Sequence, residues 1–317
     1  MKNKTLYIVL PCYNEEDVIH ETAKRLKLKF ADLIKNNQIS DQSKIVLVND
    51  GSNDNTWMII NQLHHEDKLF SGINLSHNCG HQNALLAGLM TVKDLCDLTI
   101  SMDVDLQDDI NAIDEMIDKY NMGNHIVYGV RDNRKSDSGF KRTSAAIYYK
   151  ILKSLGNSSI PNHADFRLMS QKALNGLAEF KEVNLFLRGL VPMIGYESDI
   201  IYYKRNERFA GASKYPLKKM ISFAIEGITS LSIKPLRLIS AVGIISFTLS
   251  IIFAIYFIVQ HFSGQTVSGW ASLIVSIWAL GGLQLLALGV IGEYVGKTFL
   301  ETKGRPRYII QDFLNER

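Results

Sequence analysis

Over the first 130 residues, short apolar runs alternate with longer stretches whose apolar residues recur every three or four positions. Leu6-Tyr7-Ile8-Val9-Leu10 is a β-rich run closed by Pro11, which predicts a strand followed by a turn. The spacing from Glu15 to Ile34 predicts a helix. Lys44-Ile45-Val46-Leu47-Val48 reads as a second buried strand, stopped by Asn49-Asp50-Gly51-Ser52. The same reading gives a helix over 53–65, a strand over 72–75 and a helix over 84–95, then a strand at Leu98-Thr99-Ile100, a helix over 110–120 and a strand over 126–130. Strands alternating with helices predict an α/β layer structure with a mostly parallel sheet. Ligands of such sheets bind in the crevice at the carboxyl ends of the strands. Residues 11–15, 49–54 and 103–107 all fall at such ends, so three polar clusters converge on one edge.

The pattern changes in the last third. Leu217, Met220, Ile221, Ala224, Ile225, Ile228 and Leu231 form an apolar stripe at helical spacing, with Lys218, Lys219, Ser222 and Glu226 off it. This predicts an amphipathic juxtamembrane helix within 215–235, lying at a bilayer surface and broken by Pro235. Leu238 to Gln260 then contains no Asp, Glu, Lys or Arg, enough to cross a bilayer core. A second uncharged stretch runs from Phe262 to Gly292, its apolar body beginning near Trp270. Lys218, Lys219, Lys234 and Arg237 precede the first stretch and Lys297, Lys303, Arg305 and Arg307 follow the second, whereas the connection 261–269 has no Lys or Arg. By the positive-inside rule both flanks are cytoplasmic and the short loop is extracytoplasmic. The expected plan is a cytoplasmic α/β domain at 1–214, the amphipathic helix at 215–235, two transmembrane helices in 236–295 and a basic cytoplasmic tail at 296–317, in a multi-pass protein of the cell membrane. Gly281-Gly282, Gly289 and Gln284 offer close or polar packing between helices, which allows a homo-oligomer.

Composition adds little beyond this. A net charge of +3 over 317 residues is too mild to indicate nucleic acid. The mean hydropathy near zero is raised by the last quarter alone. Three dispersed cysteines, Cys12, Cys79 and Cys96, give neither a disulfide framework nor metal-ligand spacing, and fit a reducing compartment as small buried hydrophobes. The apolar run at 6–10 is too short for a signal peptide.

The chemistry centres on Asp103-Val104-Asp105 at the end of the 98–100 strand. Alternate residues of an extended chain point the same way, so the two carboxylates can act together. They form a hard oxygen site suited to Mg²⁺ or Mn²⁺, with positions left open for substrate phosphates. No Gly-x-Gly-x-x-Gly follows the first strand and no Gly-x-x-x-x-Gly-Lys-Ser/Thr occurs, which argues against a dinucleotide-binding domain and a P-loop. Cations suited to phosphate are plentiful: Arg131, Arg142, Arg167, Arg188, Arg205, Arg208 and Lys214. Arg131 follows a strand, and Arg205, Arg208 and Lys214 flank a glycine-containing loop leading to the membrane segment. Asp165 has three roles open to it: orienting an attacking phosphate, acting as a base, or pairing with Arg167. His81 and His163 lack partners at ligand spacing and read as structural residues.

Pro11-Cys12-Tyr13-Asn14-Glu15, Asn49-Asp50-Gly51-Ser52-Asn53-Asp54 and Asp103-Val104-Asp105-Leu106-Gln107-Asp108 resemble the motifs of family 2 glycosyltransferases of the GT-A fold. The resemblance is closer to polyprenyl-phosphate hexose synthases, the bactoprenol glucosyltransferases and dolichyl-phosphate mannose synthases. It extends through Gly80-His81-Gln82-Asn83-Ala84-Leu85-Leu86-Ala87-Gly88-Leu89, Asp165-Phe166-Arg167-Leu168-Met169 and Gly211-Ala212-Ser213-Lys214-Tyr215. His77, Cys79 and Asp109 depart from the family, where Arg, Phe and Pro are usual. The resemblance implies that Asp50 holds the uracil or ribose of a UDP-sugar, with Pro11, Tyr13 and Glu15 lining that pocket. It implies that Asp103 and Asp105 bind the metal bridging the diphosphate, with Gln107 beside the donor; Asp105 and Asp165 are the candidate catalytic residues. It supports Arg131, Arg205, Arg208 and Lys214, and less strongly Arg142, as holders of an undecaprenyl phosphate acceptor, with Arg167 a further candidate for that phosphate. A flippase and an extracytoplasmic glycosyltransferase would act downstream, in cell-envelope glycan modification.

A lipid phosphate has a second pKa near 6 and is already a nucleophile at pH 7, so such an enzyme needs cations more than a base. Rival readings are a processive polysaccharide synthase, which needs a Gln-x-x-Arg-Trp motif absent here; a glycolipid synthase with a lipid-alcohol acceptor, which makes Asp165 an essential base; and a catalytically silent membrane scaffold.

Overall fold

A computed structural model describes residues 3–132, 163–204, 229, 233–262 and 269–315. Eight strands form one sheet in the order β7-β5-β6-β4-β1-β2-β3-β8. These are β1 (Leu6–Cys12), β2 (Lys44–Asn49), β3 (Phe70–Leu75), β4 (Leu98–Ser101), β5 (Ile126–Arg131), β6 (His163–Ser170), β7 (Ser198–Tyr203) and β8 (Ile310–Leu314). The helices are α1 (Ile19–Lys35), α2 (Thr56–Glu66), α3 (His81–Val92), α4 (Ala112–Asn121), α5 (Gln171–Ala178), α6 (Leu187–Met193), α7 (Lys234–Phe262) and α8 (Trp270–Lys303). The expected α/β class with a mostly parallel sheet is present. β1 pairs in parallel with β2 and β4, β2 with β3, and β5 with β7, while β6 and β8 run antiparallel to their neighbours.

Alternation along β1 explains the layering. Leu6, Ile8 and Leu10 enter a core with Ile19, Leu26 and Phe30 of α1, Ile59 of α2 and Ile113 of α4. Tyr7 and Val9 face the opposite core, with Leu85 and Leu89 of α3, Leu174 of α5 and Leu190 of α6. Helices therefore cover both faces, and burying each large apolar side chain contributes roughly 1.5–3 kcal/mol. The chain turns from β1 toward β2 and β3, then crosses to β4 on the other side of β1. That reversal opens a crevice at the carboxyl ends of β1 and β4.

β1 does not stop at Pro11 but runs to Cys12. The β1–β4 register ends at Val9 and Ser101, so the missing N–H of Pro11 interrupts no ladder on that side. α3 begins three residues before the expected start at 84, at His81 behind Gly80, whose φ is 86°. Periodicity predicts no element between 131 and 215, where β6, α5, α6 and β7 complete the far side of the sheet.

α7 and α8 are long and apolar enough to cross a membrane, the qualifying stretches being Lys234–Phe253 and Ala279–Lys303. At 1.5 Å per residue, α8 is about 50 Å long, longer than a hydrocarbon core of about 30 Å. Pro235 sits in the first turn of α7, where its missing N–H has no helical partner to lose. The stripe at 217–228 and Leu231 lies outside the described residues.

The segment after α8 returns to the sheet. β8 pairs antiparallel with the outer edge of β3, from Gly72 with Leu314 to Leu75 with Ile310. Glu301, near the end of α8, accepts hydrogen bonds from the backbone N–H groups of Val183 and Asn184 at 2.8 Å and from Asn184 Nδ2 at 2.7 Å. The last turn of α8 is thereby clamped to the α/β unit; of the segment expected as a basic tail, residues up to Lys303 extend α8 and Ile310–Leu314 form a strand of the sheet.

Candidate functional site

The loops at the ends of β1 and β2 are stitched together. Asn14 N donates to Ser52 Oγ at 3.0 Å, Asn53 N to Asn14 Oδ1 at 2.9 Å and Glu15 N to Thr56 Oγ1 at 2.9 Å. Asp50, 2% exposed, accepts from Cys79 N at 2.7 Å and Gly80 N at 3.0 Å. Its two oxygens thus hold the loop that starts α3. Gly51 allows this approach: at φ 61°, an added Cβ would lie 2.5 Å from Asn78 N and 2.6 Å from the His77 carbonyl carbon. Burial raises Asp50 above the ordinary carboxylate value, against the two amides that lower it.

A cleft of about 520 Å³ opens between these loops and the β3–β8 edge. Tyr13, Asn53, Trp57, Asn74, His77 and Gln311 are among its walls. The 77–81 loop joins it to the acidic site: His77 and Asn78 line the cleft, Cys79 and Gly80 hold Asp50, and His81 faces Asp103 and Asp165.

Asp103, Asp105 and Asp108 emerge beyond β4. Thr22 Oγ1 of α1 donates to Val104 O at 2.7 Å and pins the loop from behind. Leu106, buried at φ 60°, makes the tight bend that returns Asp108 toward Asp103. Asp105 Oδ1 accepts from Gln107 N at 3.2 Å, and Asp108 Oδ2 from Asp103 N at 3.4 Å. Burial first, then the charge of Asp108, pushes the Asp103 carboxyl up to about 6. Arg131, at the end of β5, lies 3.4 Å from Asp108 and 3.9 Å from Asp103, and its Nε donates to Tyr203 Oη at 3.1 Å.

Asp165 and Arg167 share a face of β6. Arg167 is 1% exposed and pairs with Asp165 at 2.6 Å. A guanidinium so enclosed does not meet an acceptor phosphate directly, and the expected phosphate contact gives way to a strut beneath Asp165. Arg188 of α6 bonds the outer side of Asp165 at 3.0 Å, and His81 Nε2 stands 3.6 Å from both Asp165 and Asp103. Burial disfavours the Asp165 carboxylate, but Arg188, His81 and Arg167 outweigh it and hold the group well below the usual range. The same carboxylates hold His81 above its ordinary value despite burial.

The structure therefore brings Tyr13, Glu15, Asp50, Asp103, Asp105, Gln107, Arg131 and Asp165 to one sheet edge, with Pro11 in the β1 end beneath them. Arg142, Arg205, Arg208 and Lys214 lie outside the described residues. His81, expected to be structural, Arg188, named only among the cations suited to phosphate, and Asp108 and Tyr203, given no role, all stand at the site. Their signal was position: His81 opens a helix beside Asp50, and Asp108 sits five residues beyond Asp103.

Whether a divalent cation fits is answered by the donors. Among the described residues, no three His, Cys, Asp or Glu side chains form a ready-made ligand set. Two carboxylates with open positions suit Mg²⁺ or Mn²⁺ shared with phosphate oxygens, and the raised Asp103 marks uncompensated negative charge that a cation would relieve.

Residues 7–177 match the model of glycosyl transferase family 2. An uncharacterized glycosyltransferase of Bacillus subtilis, YkoT, is 51% identical over 98% of this chain and 93% of its own length. A prophage bactoprenol glucosyl transferase homolog of Escherichia coli K12 is 39% identical over 96% of this chain and 97% of its own. The bactoprenol glucosyl transferase of Shigella phage SfX is 38% identical over 96% and 98%. The chain belongs to glycosyl transferase family 2 and is a glycosyltransferase with the GT-A fold.

Proposed function

We propose that this glycosyltransferase moves a hexose, glucose or N-acetylglucosamine, from a UDP-sugar to undecaprenyl phosphate at the cytoplasmic face of a membrane. The relatives named for bactoprenol are similar along nearly the whole chain, both apolar helices included. The observation that carries the acceptor class is the double pairing of Asp165, with Arg167 at 2.6 Å and Arg188 at 3.0 Å. Held low by Arg188, His81 and Arg167, this carboxylate is a weak base, poorly matched to an alcohol at neutral pH. An acceptor that arrives as an anion needs no such base.

In the reaction, a phosphate oxygen of the lipid attacks the anomeric carbon as the bond to the UDP oxygen breaks. The product is a sugar phosphodiester with inverted configuration, and UDP leaves. Asp103 and Asp105 would hold a Mg²⁺ or Mn²⁺ ion that, when bound, offsets the charge developing on the diphosphate. Asp50 fixes the loop beside the nucleotide cleft, Tyr13 and Glu15 border that side, and Gln107 stands beside the donor. Arg131 and Arg188 bring positive charge to the acidic edge. Arg142, Arg205, Arg208 and Lys214 are assigned to the acceptor side by resemblance alone. α7 and α8 anchor the domain where a membrane-dissolved acceptor can reach it.

The metal assignment is tested with Asp105→Ala in full-length protein. Loss of sugar transfer by a variant that keeps its far-UV spectrum and melting behaviour supports it. Full transfer by that variant in the presence of EDTA would refute it.

A further inference from the structure

The segment beyond the second apolar helix meets the nucleotide cleft itself. From Gly72 to Asn74 the β3–β8 register is regular, ending with Asn74 opposite Asp312. At the next step Leu75 faces Ile310, so Gln311 is the extra residue of a β-bulge. Bulges re-aim side chains beside functional sites. Here Gln311 is exposed on the strand and lines the cleft with Tyr13, Asn53, Trp57 and His77. Its neighbour Asp312 reaches the same floor by a relay: Asn74 Nδ2 donates to Asp312 Oδ2 at 3.0 Å, Asn49 Nδ2 to Asn74 Oδ1 at 2.8 Å, and Ser52 N to Asn49 Oδ1 at 3.3 Å. The β2 loop that carries Asp50 and Gly51 is thus tied to the strand that follows the anchor.

Aromatic walls with amide side chains suit a nucleobase, which stacks on the ring faces and presents donors and acceptors along its edge. A primary amide such as Gln311 offers one donor and one acceptor side by side, complementary to the imide edge of uracil. We propose that Gln311 is a base-recognition residue of the donor pocket, and that Asp312 is a positioning residue which couples uridine-nucleotide binding to docking of β8. The inference rests on the UDP-sugar reading above and adds the C-terminal strand to that site.

The test uses the full chain in detergent with Mn²⁺ and UDP as probe. UDP binding is measured by calorimetry for wild type, Gln311→Ala and Asp312→Ala, and hydrogen exchange is followed over 310–314 with and without UDP. Losing one edge interaction is expected to weaken UDP binding about tenfold in Gln311→Ala. The donor KM should rise in both variants with little change in kcat or in the acceptor KM, which a general loss of folding would not produce. In wild type, UDP should slow exchange at 310–314. Unchanged UDP affinity in Gln311→Ala, or unchanged exchange at 310–314, overturns the inference while leaving the donor reading intact. Failure of wild type to bind UDP overturns both.

Discussion

Asp103 is ionised at the expense of stability, and removing its charge should stabilise the protein when no metal is present. The folded state pushes this carboxyl from an ordinary 3.8 up to about 6, first by burial and then by Asp108. Because the folded state holds the proton more tightly, stability is highest below the ordinary value and falls as pH rises through about 6. That difference in proton affinity corresponds to roughly 3 kcal/mol at most. With 31% of the side chain exposed, solvent screening reduces this to about 2 kcal/mol. Asp103→Asn removes the charge with little change of shape, so in EDTA at pH 7.5 the variant should melt about 4–8 °C above wild type. At pH 4 the gap should close, because wild type is then protonated. Added Mn²⁺ should raise wild type and leave the variant unmoved, reversing the order. Thermal melts of detergent-solubilised protein at both pH values, with EDTA or Mn²⁺, provide the check. A variant that melts at or below wild type in EDTA at pH 7.5 refutes the account of trapped negative charge.

Asp165→Asn should destabilise the domain by about 3–5 kcal/mol, since the buried Arg167 charge loses its partner; denaturant melts measure this, and a change under 1 kcal/mol would contradict the strut assignment. Gly51→Ala should raise the donor KM, because the new methyl must displace backbone at His77 and Asn78, and the αL conformation adds about 1–2 kcal/mol of strain. Unaltered donor KM would mean that the 77–80 loop does not shape the donor pocket. Glu301→Ala removes the acceptor of three hydrogen bonds and should speed hydrogen exchange at Val183 and Asn184, with exchange elsewhere in the sheet unchanged. Unchanged exchange at those two amides would contradict the clamp.

The half of the fold that carries the cleft was legible because its strands are continuous apolar runs buried on both faces, separated by amphipathic helices and turn residues. β1 to β5 fall where periodicity places them. The helix starts shift because capping is set by contacts from afar: α3 begins at His81 since Asp50, thirty residues earlier, holds the Gly80 amide. β6 was opaque for a physical reason. His163 to Ser170 carries Asp165 and Arg167 at strand-facing positions, and an ion pair buried in a sheet reads in sequence as a polar loop. β8 was hidden differently, since Gln311, which lines the cleft, and Asp312, which accepts from Asn74, interrupt the apolar alternation that marks a strand. At the site, the Asp103 and Asp105 pair and Asp50 stood out through spacing at strand ends. His81 did not, and Arg188 did not stand apart from the other cations, because each meets Asp165 only through the folding of α3 and α6.

The central claim is that a nucleotide sugar is joined to a polyprenyl phosphate. Its most direct test gives the purified full chain undecaprenyl phosphate, Mg²⁺ or Mn²⁺ and, separately, UDP-glucose, UDP-N-acetylglucosamine, UDP-galactose and GDP-mannose, with lipid products read by mass spectrometry. The account predicts a glycosyl-phosphoryl-undecaprenol from UDP-glucose or UDP-N-acetylglucosamine, abolished by EDTA. No lipid-phosphate product from any donor, with nucleotide released only when a lipid alcohol is supplied, would contradict it.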